Sequence, residues 1–292
     1  MGDISRVGVV GSGIMGAGIA EVCARADLDV LVAELSAEAE GAGQDRVARS
    51  LQRAVHAGKL TQAGRDKALG AIRFTTDLAK FADRELVIEA ITECAEAKSC
   101  VLAALDTIVA GREAILASNT SSIPIMRLAM ATSRAPQVIG IHFFNPVPVL
   151  DLVELIPCLL TSEETCWRAE AFITATLGKT AIRCPDRAGF VVNALLIPYL
   201  LAAIRMLESG LAAAEDIDTG MVLGCGHPMG PLRLGDLIGL DTVTAVARSM
   251  HEEFAEPSYA PPPLLLRMVD AGLLGKKTGH GFYDYTELAR EA

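Results

Sequence analysis

Three glycines near the start of the chain restrict its fold more than any other feature. The stretch "VGVVGSGIMGAGIAEV" sets Gly11, Gly13 and Gly16 between an apolar strand and an Ala-rich helix. Glycines at this spacing permit a tight turn, close approach of backbone to a diphosphate, and close packing of helix on strand. The N-terminus of the helix would face the negative charge, with Ile14 and Met15 beside it. The pattern predicts the strand–loop–helix unit of a parallel, dinucleotide-binding sheet.

An acidic residue follows the glycines at a suitable spacing. The next strand, "DVLVAE", ends in Glu34, and an acid about 20 residues after the glycines accepts hydrogen bonds from the adenosine ribose. A carboxylate there also repels the 2′-phosphate of NADP, so we expect NAD. The alternative is a glycine-rich structural turn followed by an unrelated acid.

The pattern of apolar runs predicts two domains. Strand-like runs alternate with helical stretches through the first part of the chain, including one long helical region from Ala37 to Leu69; the runs are "RVGVVG", "DVLVAE", "ELVIEAI", "AILASN" and "QVIGIHFF". After Gly189 the chain reads as helices that are apolar on nearly every face. We therefore expect an α/β protein, with an N-terminal Rossmann-like doubly wound sheet (1–186) and a C-terminal all-helical domain (187–292) that also forms a homodimer.

The segment "IGIHFFNPVPVLDLVELI" carries a histidine and a glutamate inside apolar strands. Burying an ionisable group is costly unless it is paired. If Asn145 to Pro148 form a turn, the flanking strands pair antiparallel and His142 lies opposite Glu154. Such a pair would be a general base with its orienting carboxylate. The alternative is an edge histidine and a solvent-facing glutamate.

Composition narrows the function classes. The formal net charge is −10 with a pI near 5.0, which disfavours nucleic acid and anionic membrane surfaces as partners. The seven cysteines show no metal-binding spacing, so we expect reduced thiols and no metal site. With no leader-like N-terminus and no membrane-length apolar run, we expect a cytoplasmic protein.

Several motifs, in order along the chain, resemble those of one family: "GSGIMG", "VIEAITE", "LASNTSS", "IHFFNPVPVLDLVELI", "DRAGFVVNALLIPYL", "EDIDTGMVLGCGHPMGPLRLGDLIGLD" and "GKKTGHGFY". The chain resembles the L-3-hydroxyacyl-CoA dehydrogenases over essentially its whole length, and the bacterial 3-hydroxybutyryl-CoA dehydrogenases most closely. This resemblance implies an enzyme that interconverts (S)-3-hydroxyacyl-CoA and 3-oxoacyl-CoA with NAD.

The resemblance also implies residue roles. His142 is similar to the family's catalytic histidine, Glu154 to its carboxylate partner, and Ser121 and Asn193 to the residues that hold the substrate oxygen. The family positions that contact the dinucleotide correspond here to Glu93, Lys98, Asn119, Asn145 and Lys277, and Ser121 belongs to the same set. Several of these positions have a structural alternative: Ser121, Ser122 or Asn119 as a cap of the turn before "IPIMRLAM", Asn193 as a core amide, and Lys98 and Lys277 as surface lysines.

Coenzyme A recognition is expected on the helical insert "RVARSLQRAVHAGKL". Ser50 matches a family serine there, but Ala57 stands where the family has a lysine. Arg53 and Lys59 are the nearby cations that could replace it. This departure keeps open an unusual or acyl-carrier-protein-bound 3-hydroxyacyl substrate. A free 3-hydroxy acid and a non-catalytic NAD-binding role are further alternatives.

Overall fold

The N-terminal unit is built on one sheet. In the computed structural model, which describes residues 4–286, the chain divides after Arg187 into two units. The strands are β1 (Arg6–Val10), β2 (Asp29–Ala33), β3 (Ile72–Thr75), β4 (Leu86–Glu89), β5 (Ile115–Ser118), β6 (Val138–Phe143), β7 (Leu152–Ile156) and β8 (Thr180–Arg183). The helices of this unit are α1 (Ile14–Arg25), α2 (Ala37–His56), α3 (Gln62–Ala71), α4 (Ala95–Ile108), α5 (Ile125–Ala129) and α6 (Glu163–Ala171).

The strand order is β3-β2-β1-β4-β5-β6-β7-β8. All neighbours are parallel except β6 and β7. The chain runs outward in one direction from β1 and in the other from β4, so the order reverses between these two strands. Ligands of open α/β sheets bind outside the carboxyl ends of the strands at such a reversal. The predicted Rossmann-like doubly wound sheet is confirmed.

The central strands are buried along almost their whole length, which explains their near-continuous Val and Ile content. The antiparallel pair of β6 and β7 places His142 directly opposite Glu154, with Phe143 opposite Val153. This confirms the pairing predicted from the turn between them.

The structure corrects the sequence prediction in two places. The helical region expected from Ala37 to Leu69 is two helices, because Gly58 has a positive φ of 67° and Thr61 caps the start of α3 by accepting from Gly64 N–H. The strands β3 and β8 were not expected. Each lies at an edge of the sheet and has at most one fully buried residue, so it lacks the run of buried apolar residues that marks β4 and β5, which are equally short.

The second unit is helical, as predicted. Its helices are α7 (Val192–Glu208), α8 (Ala214–Cys225), α9 (Pro231–Ile238), α10 (Leu240–Phe254) and α11 (Pro263–Asp270). Apolar faces such as those of Leu201, Ile204 and Val243 form its core. The buried Asp236 accepts backbone N–H bonds from Phe282 and Tyr283, which ties the segment after α11 to α9. Within residues 4–286, no helix is both long and apolar enough to cross a membrane.

One buried carboxyl group in α1 is incompletely paired. Glu21 is fully buried, and its Oε1 lies 3.4 Å from an Arg25 nitrogen. Its Oε2 has no hydrogen-bond partner in the described part of the chain. Burial raises the pKa of this carboxyl, against the opposing effects of Ser50 and Arg25.

Glu21→Gln should therefore stabilise the protein at neutral pH by about 1 kcal/mol, because a neutral amide avoids burying an incompletely paired charge. Well below the ordinary value of 4.5 the carboxyl is protonated in both folded and unfolded states, so the gain should vanish there. It should grow as pH rises towards the raised folded-state pKa. Melting temperatures of the two proteins across this range test the prediction, and a gap independent of pH would contradict it.

Candidate active site

The glycine loop after β1 is tightly packed at two of its glycines. Gly11 has a φ of +92°, and a Cβ there would lie 2.8 Å from the Ala90 carbonyl oxygen. A Cβ on Gly16 would lie only 1.8 Å from the Gly11 carbonyl oxygen. Any side chain at these positions would push the loop and α1 away from the sheet, so only glycine allows this turn.

The middle glycine of the loop, Gly13, has room around it. A Cβ on Gly13 would meet no atom within 4 Å, and α1 begins there without a capping side chain. The first turn of α1 has no acidic residue, and Ile14 is 67% exposed. Backbone N–H groups at an open helix N-terminus bind phosphate well, so the loop fits the diphosphate of NAD.

Glu34 lies directly after β2 and is hydrogen-bonded to the glycine loop. Its Oε1 accepts bonds from the backbone N–H of Ser12 and, at 2.7 Å, from the Ser12 hydroxyl. Its Oε2 accepts a longer bond of 3.3 Å from Leu35 N–H. Arg46 of α2 donates to the Ser12 carbonyl oxygen on the same loop. The carboxylate is thus fixed beside the place where the adenosine ribose is expected.

A hydrogen-bonded chain joins three predicted residues. Glu154 Oε2 lies 2.8 Å from His142 Nδ1, and Ser121 Oγ lies 2.9 Å from His142 Nε2. His142 is 4% exposed and Glu154 is fully buried. A carboxylate can only accept, so Nδ1 carries the proton, and Nε2 of the neutral ring accepts from the serine hydroxyl. The structure thus brings together the predicted base, its predicted orienting acid and a hydroxyl donor.

Neighbouring residues fix the histidine further. The Phe144 ring packs edge-on against the imidazole with ring centres 4.6 Å apart. Asn119, after β5, accepts a 2.9 Å bond from Phe143 N–H through its side-chain oxygen. Asn119 therefore links β5 to the strand that carries His142, whereas Asn145 is exposed in the turn and precedes a cis proline, Pro146.

The serine turn is held by Glu93. Its Oε1 accepts bonds from the N–H groups of Ser121 and Ser122, at 3.0 and 3.2 Å, and from the hydroxyls of Thr120 and Ser122. Burial opposes ionisation of Glu93, but Lys98 and these donors outweigh it and lower its pKa. A lowered pKa keeps Glu93 charged, so it remains a strong acceptor for the whole turn.

The lysine beside Glu93 is buried, so the surface-lysine alternative for Lys98 is wrong. Lys98 is 1% exposed, and its Nζ lies 2.7 Å from Glu89 Oε1 and 3.3 Å from Glu93 Oε2. Glu89, at the end of β4, also accepts from Ser118 Oγ at 2.6 Å. The helix-cap alternative for Ser121 and Ser122 is also wrong: α5 begins after Pro124 without a side-chain cap.

Other predicted residues belong to other elements of the fold. Ser50 is half-buried on α2, while Arg53 and Lys59 are exposed. Asn193 and Lys277 belong to the second unit: Asn193 is half-buried in the first turn of α7, and Lys277 Nζ lies 2.6 Å from Asp241.

Sequence reasoning assigned no role to four residues of the site: Glu89, Ser118, Thr120 and Asp186. Asp186, in the quoted segment "DRAGFVVN", accepts the Ile125 and Met126 N–H groups at 2.8 and 2.7 Å and so holds the start of α5. A signal for Glu89 was present, because it is an ionisable residue inside the apolar strand "ELVIEAI". Lys98, Leu102 and Leu105 share the buried face of α4 at helical spacing, which would have indicated a buried lysine.

A dinucleotide loop at the strand reversal, with a serine–histidine–glutamate chain at the same ends of the strands, is the arrangement of a nicotinamide-dependent dehydrogenase with a histidine acid/base. Family models agree with this class. The NAD binding domain of 3-hydroxyacyl-CoA dehydrogenase matches residues 6–187, and the C-terminal domain of the same enzyme matches residues 189–285. The chain belongs to the 3-hydroxyacyl-CoA dehydrogenase family.

Individual relatives match over nearly their whole length. The 3-hydroxybutyryl-CoA dehydrogenase of Mycobacterium tuberculosis is 59% identical over 282 residues, covering 97% of this chain and 99% of the relative. Human mitochondrial hydroxyacyl-coenzyme A dehydrogenase is 42% identical over 289 residues, covering 97% and 91%. The crystal structure of (S)-3-hydroxybutyryl-CoA dehydrogenase from Ralstonia eutropha superposes with a TM-score of 0.92 at 48% identity, covering 97% and 99%. The predicted family, enzyme class and cofactor NAD are confirmed.

Proposed function

We propose that this chain interconverts (S)-3-hydroxybutyryl-CoA and acetoacetyl-CoA, as representatives of short-chain 3-hydroxyacyl-CoA substrates. The observation that carries the proposal is the hydrogen-bonded chain of Ser121, His142 and Glu154, with bonds of 2.9 and 2.8 Å and with the histidine and glutamate buried. Interconverting an alcohol and a ketone needs one group that takes and returns the hydroxyl proton. The relatives named above act on this substrate class, which supports the choice of acyl-CoA.

His142 is the proton-transferring group. In the oxidation direction its Nε2 removes the proton of the 3-hydroxyl, and in reduction the imidazolium returns it to the ketone oxygen. NAD, when bound, supplies the hydride acceptor, and NADH the hydride donor. Ser121 donates to the same oxygen, where negative charge builds up as the carbonyl is reduced.

Glu154 orients the histidine. Its bond to Nδ1 fixes the tautomer, so Nε2 always faces Ser121. As Nε2 gains a proton, the buried carboxylate stabilises the positive ring at short range, where little water screens the interaction.

The remaining predicted residues have binding roles in this proposal. For the dinucleotide they are Gly11, Gly13, Ile14, Met15, Gly16, Glu34, Glu93, Asn119, Ser121, Asn145 and Lys277, with Lys98 acting behind Glu93. For the substrate they are Ser50, Arg53, Lys59, Ser121 and Asn193. An acyl-carrier-protein substrate remains the second candidate, because exposed Ala57 offers no cation at the family's lysine position while Arg53 and Lys59 nearby are exposed.

We also propose a cytoplasmic homodimer formed through the C-terminal unit. Three leucines of that unit, Leu195, Leu211 and Leu223, are 74%, 73% and 79% exposed. Large apolar side chains that are exposed to solvent favour association of subunits. Light scattering on the purified protein tests the dimer, and a monomer mass would overturn it.

His142→Ala should lower the rate of acetoacetyl-CoA reduction by about 10²- to 10⁴-fold, because the proton donor is lost. NADH binding should be nearly unchanged, since the glycine loop and Glu34 are untouched. Loss of NADH absorbance measures the rate and NADH fluorescence measures binding. His251→Ala, in the second unit, is the control histidine and should keep the parent rate; a near-parent rate for His142→Ala would overturn the mechanism.

The parent protein itself tests the substrate. If it binds NADH yet oxidises none with acetoacetyl-CoA, the same assay with an acetoacetyl group on acyl carrier protein tests the second candidate.

The parent should also prefer NADH over NADPH, because Glu34 repels a 2′-phosphate. Glu34→Gln should raise kcat/KM for NADPH by about tenfold by removing that repulsion, with Arg46 close enough to attract the phosphate. The measurement is the ratio of kcat/KM for NADPH to kcat/KM for NADH in each protein. Glu38→Gln, an exposed acid at the start of α2, is the matched control; an unchanged ratio in Glu34→Gln would remove Glu34 from cofactor choice.

A further inference from the structure

We propose that Lys98 is a positioning residue for the dehydrogenase reaction, acting through Glu93 on Ser121. The proposal rests on the acid/base chain proposed above. It assigns Lys98 a role different from direct contact with the dinucleotide, and it gives Glu89 a function that the sequence did not suggest.

The ammonium group of Lys98 is buried and held by neighbouring oxygens. Lys98 is 1% exposed and its Nζ donates to Glu89 Oε1 at 2.7 Å and to the Ile91 carbonyl oxygen at 3.3 Å. Glu89 is fully buried and is fixed by Ser118 Oγ and by Ile91 N–H, at 2.6 and 2.7 Å. A buried ammonium held by the oxygens of Glu89 and Ile91 has little freedom to swing towards a ligand.

Glu93 connects the lysine to the turn formed by residues 120–122. Lys98 Nζ lies 3.3 Å from Glu93 Oε2, while the other oxygen of Glu93 gathers four donors from residues 120–122. Glu93 itself is 39% exposed. An exposed carboxylate holds one geometry only when a fixed partner restrains it, and the buried lysine is that partner.

Ser121 connects Glu93 to the imidazole of His142. Ser121 N–H donates to Glu93 at 3.0 Å, and Ser121 Oγ lies 2.9 Å from His142 Nε2. A shift of the turn therefore moves the serine hydroxyl relative to the histidine. Misplacement by about 1 Å is enough to cost much of the rate of a positioned reaction.

Lys98→Met tests this, with Arg84→Met as matched control. Arg84 is also almost fully buried and also lies between two carboxylates, Asp29 and Asp83. It precedes β4, however, so it lies at the amino end of that strand, whereas the site lies at the carboxyl ends. Lys98→Met should lower kcat by about tenfold with the NADH dissociation constant unchanged. Arg84→Met should leave kcat at the parent value.

A double-mutant cycle with Ser121→Ala gives the sharpest answer. If Lys98 acts through Ser121, Lys98→Met should cost less than about twofold in the Ser121→Ala protein. Equal losses in both backgrounds, weaker NADH binding at unchanged kcat, or the same loss in Arg84→Met would each overturn the proposal. If Lys98→Met does not fold, Glu93→Gln, which keeps the acceptor oxygen but removes the charge that Lys98 holds, replaces it in the cycle with the same expectation for kcat at saturating NADH; its NADH affinity is not compared, because Glu93 is itself proposed to contact the dinucleotide.

Hydrogen exchange separates this proposal from the proposed function. The amides of Ser121 and Ser122 should exchange faster in Lys98→Met, and not in Arg84→Met, whether or not the protein turns over acetoacetyl-CoA. An inactive parent would refute the proposed substrate alone. Unchanged exchange at both amides in Lys98→Met would refute the positioning role alone.

Discussion

The hydrogen bond between His142 and Glu154 is the interaction on which the site depends. A fully buried carboxylate is tolerated because a charge-assisted bond of 2.8 Å satisfies it. The antiparallel register of β6 and β7 makes that bond, and a slip of one residue would turn one of the two side chains to the other face of the sheet. The turn between the strands is secured independently, since the Lys179 ammonium donates to the Val147 and Leu150 carbonyl oxygens at 2.9 and 2.8 Å.

The other parts of the N-terminal site follow from sheet order. The glycine loop follows β1, Glu34 follows β2, Glu89 ends β4 and Asn119 follows β5. Parallel strands bring their carboxyl ends to one edge, so residues far apart in sequence meet there. Two polar networks result, and they join at Ser121: one runs through His142 to Glu154, and the other through Glu93 to Lys98 and Glu89.

Much of this was predictable, for identifiable reasons. The glycine loop has a strict spacing, and His142 and Glu154 stand out as ionisable residues in apolar strands separated by a turn. Glu89 is likewise an ionisable residue in an apolar strand, "ELVIEAI". It has no oppositely charged residue across a turn, so the sequence alone does not predict its partner. The resemblance placed Lys98 near the dinucleotide, but its burial was not predicted, because a lysine is rarely buried and its two carboxylate partners, Glu89 and Glu93, lie outside α4. Edge strands such as β3 and β8 are partly exposed, so they lack the continuous apolar run that reveals the equally short β4 and β5.

The most direct test of the central claim is the rate of acetoacetyl-CoA reduction by Glu154→Gln at saturating NADH. Glutamine keeps the size of the side chain but removes the charge that holds and stabilises the imidazolium. The account predicts a fall in kcat of about 100-fold with NADH binding unchanged. A rate within about twofold of the parent would mean that the buried carboxylate is structural and that His142 works without it.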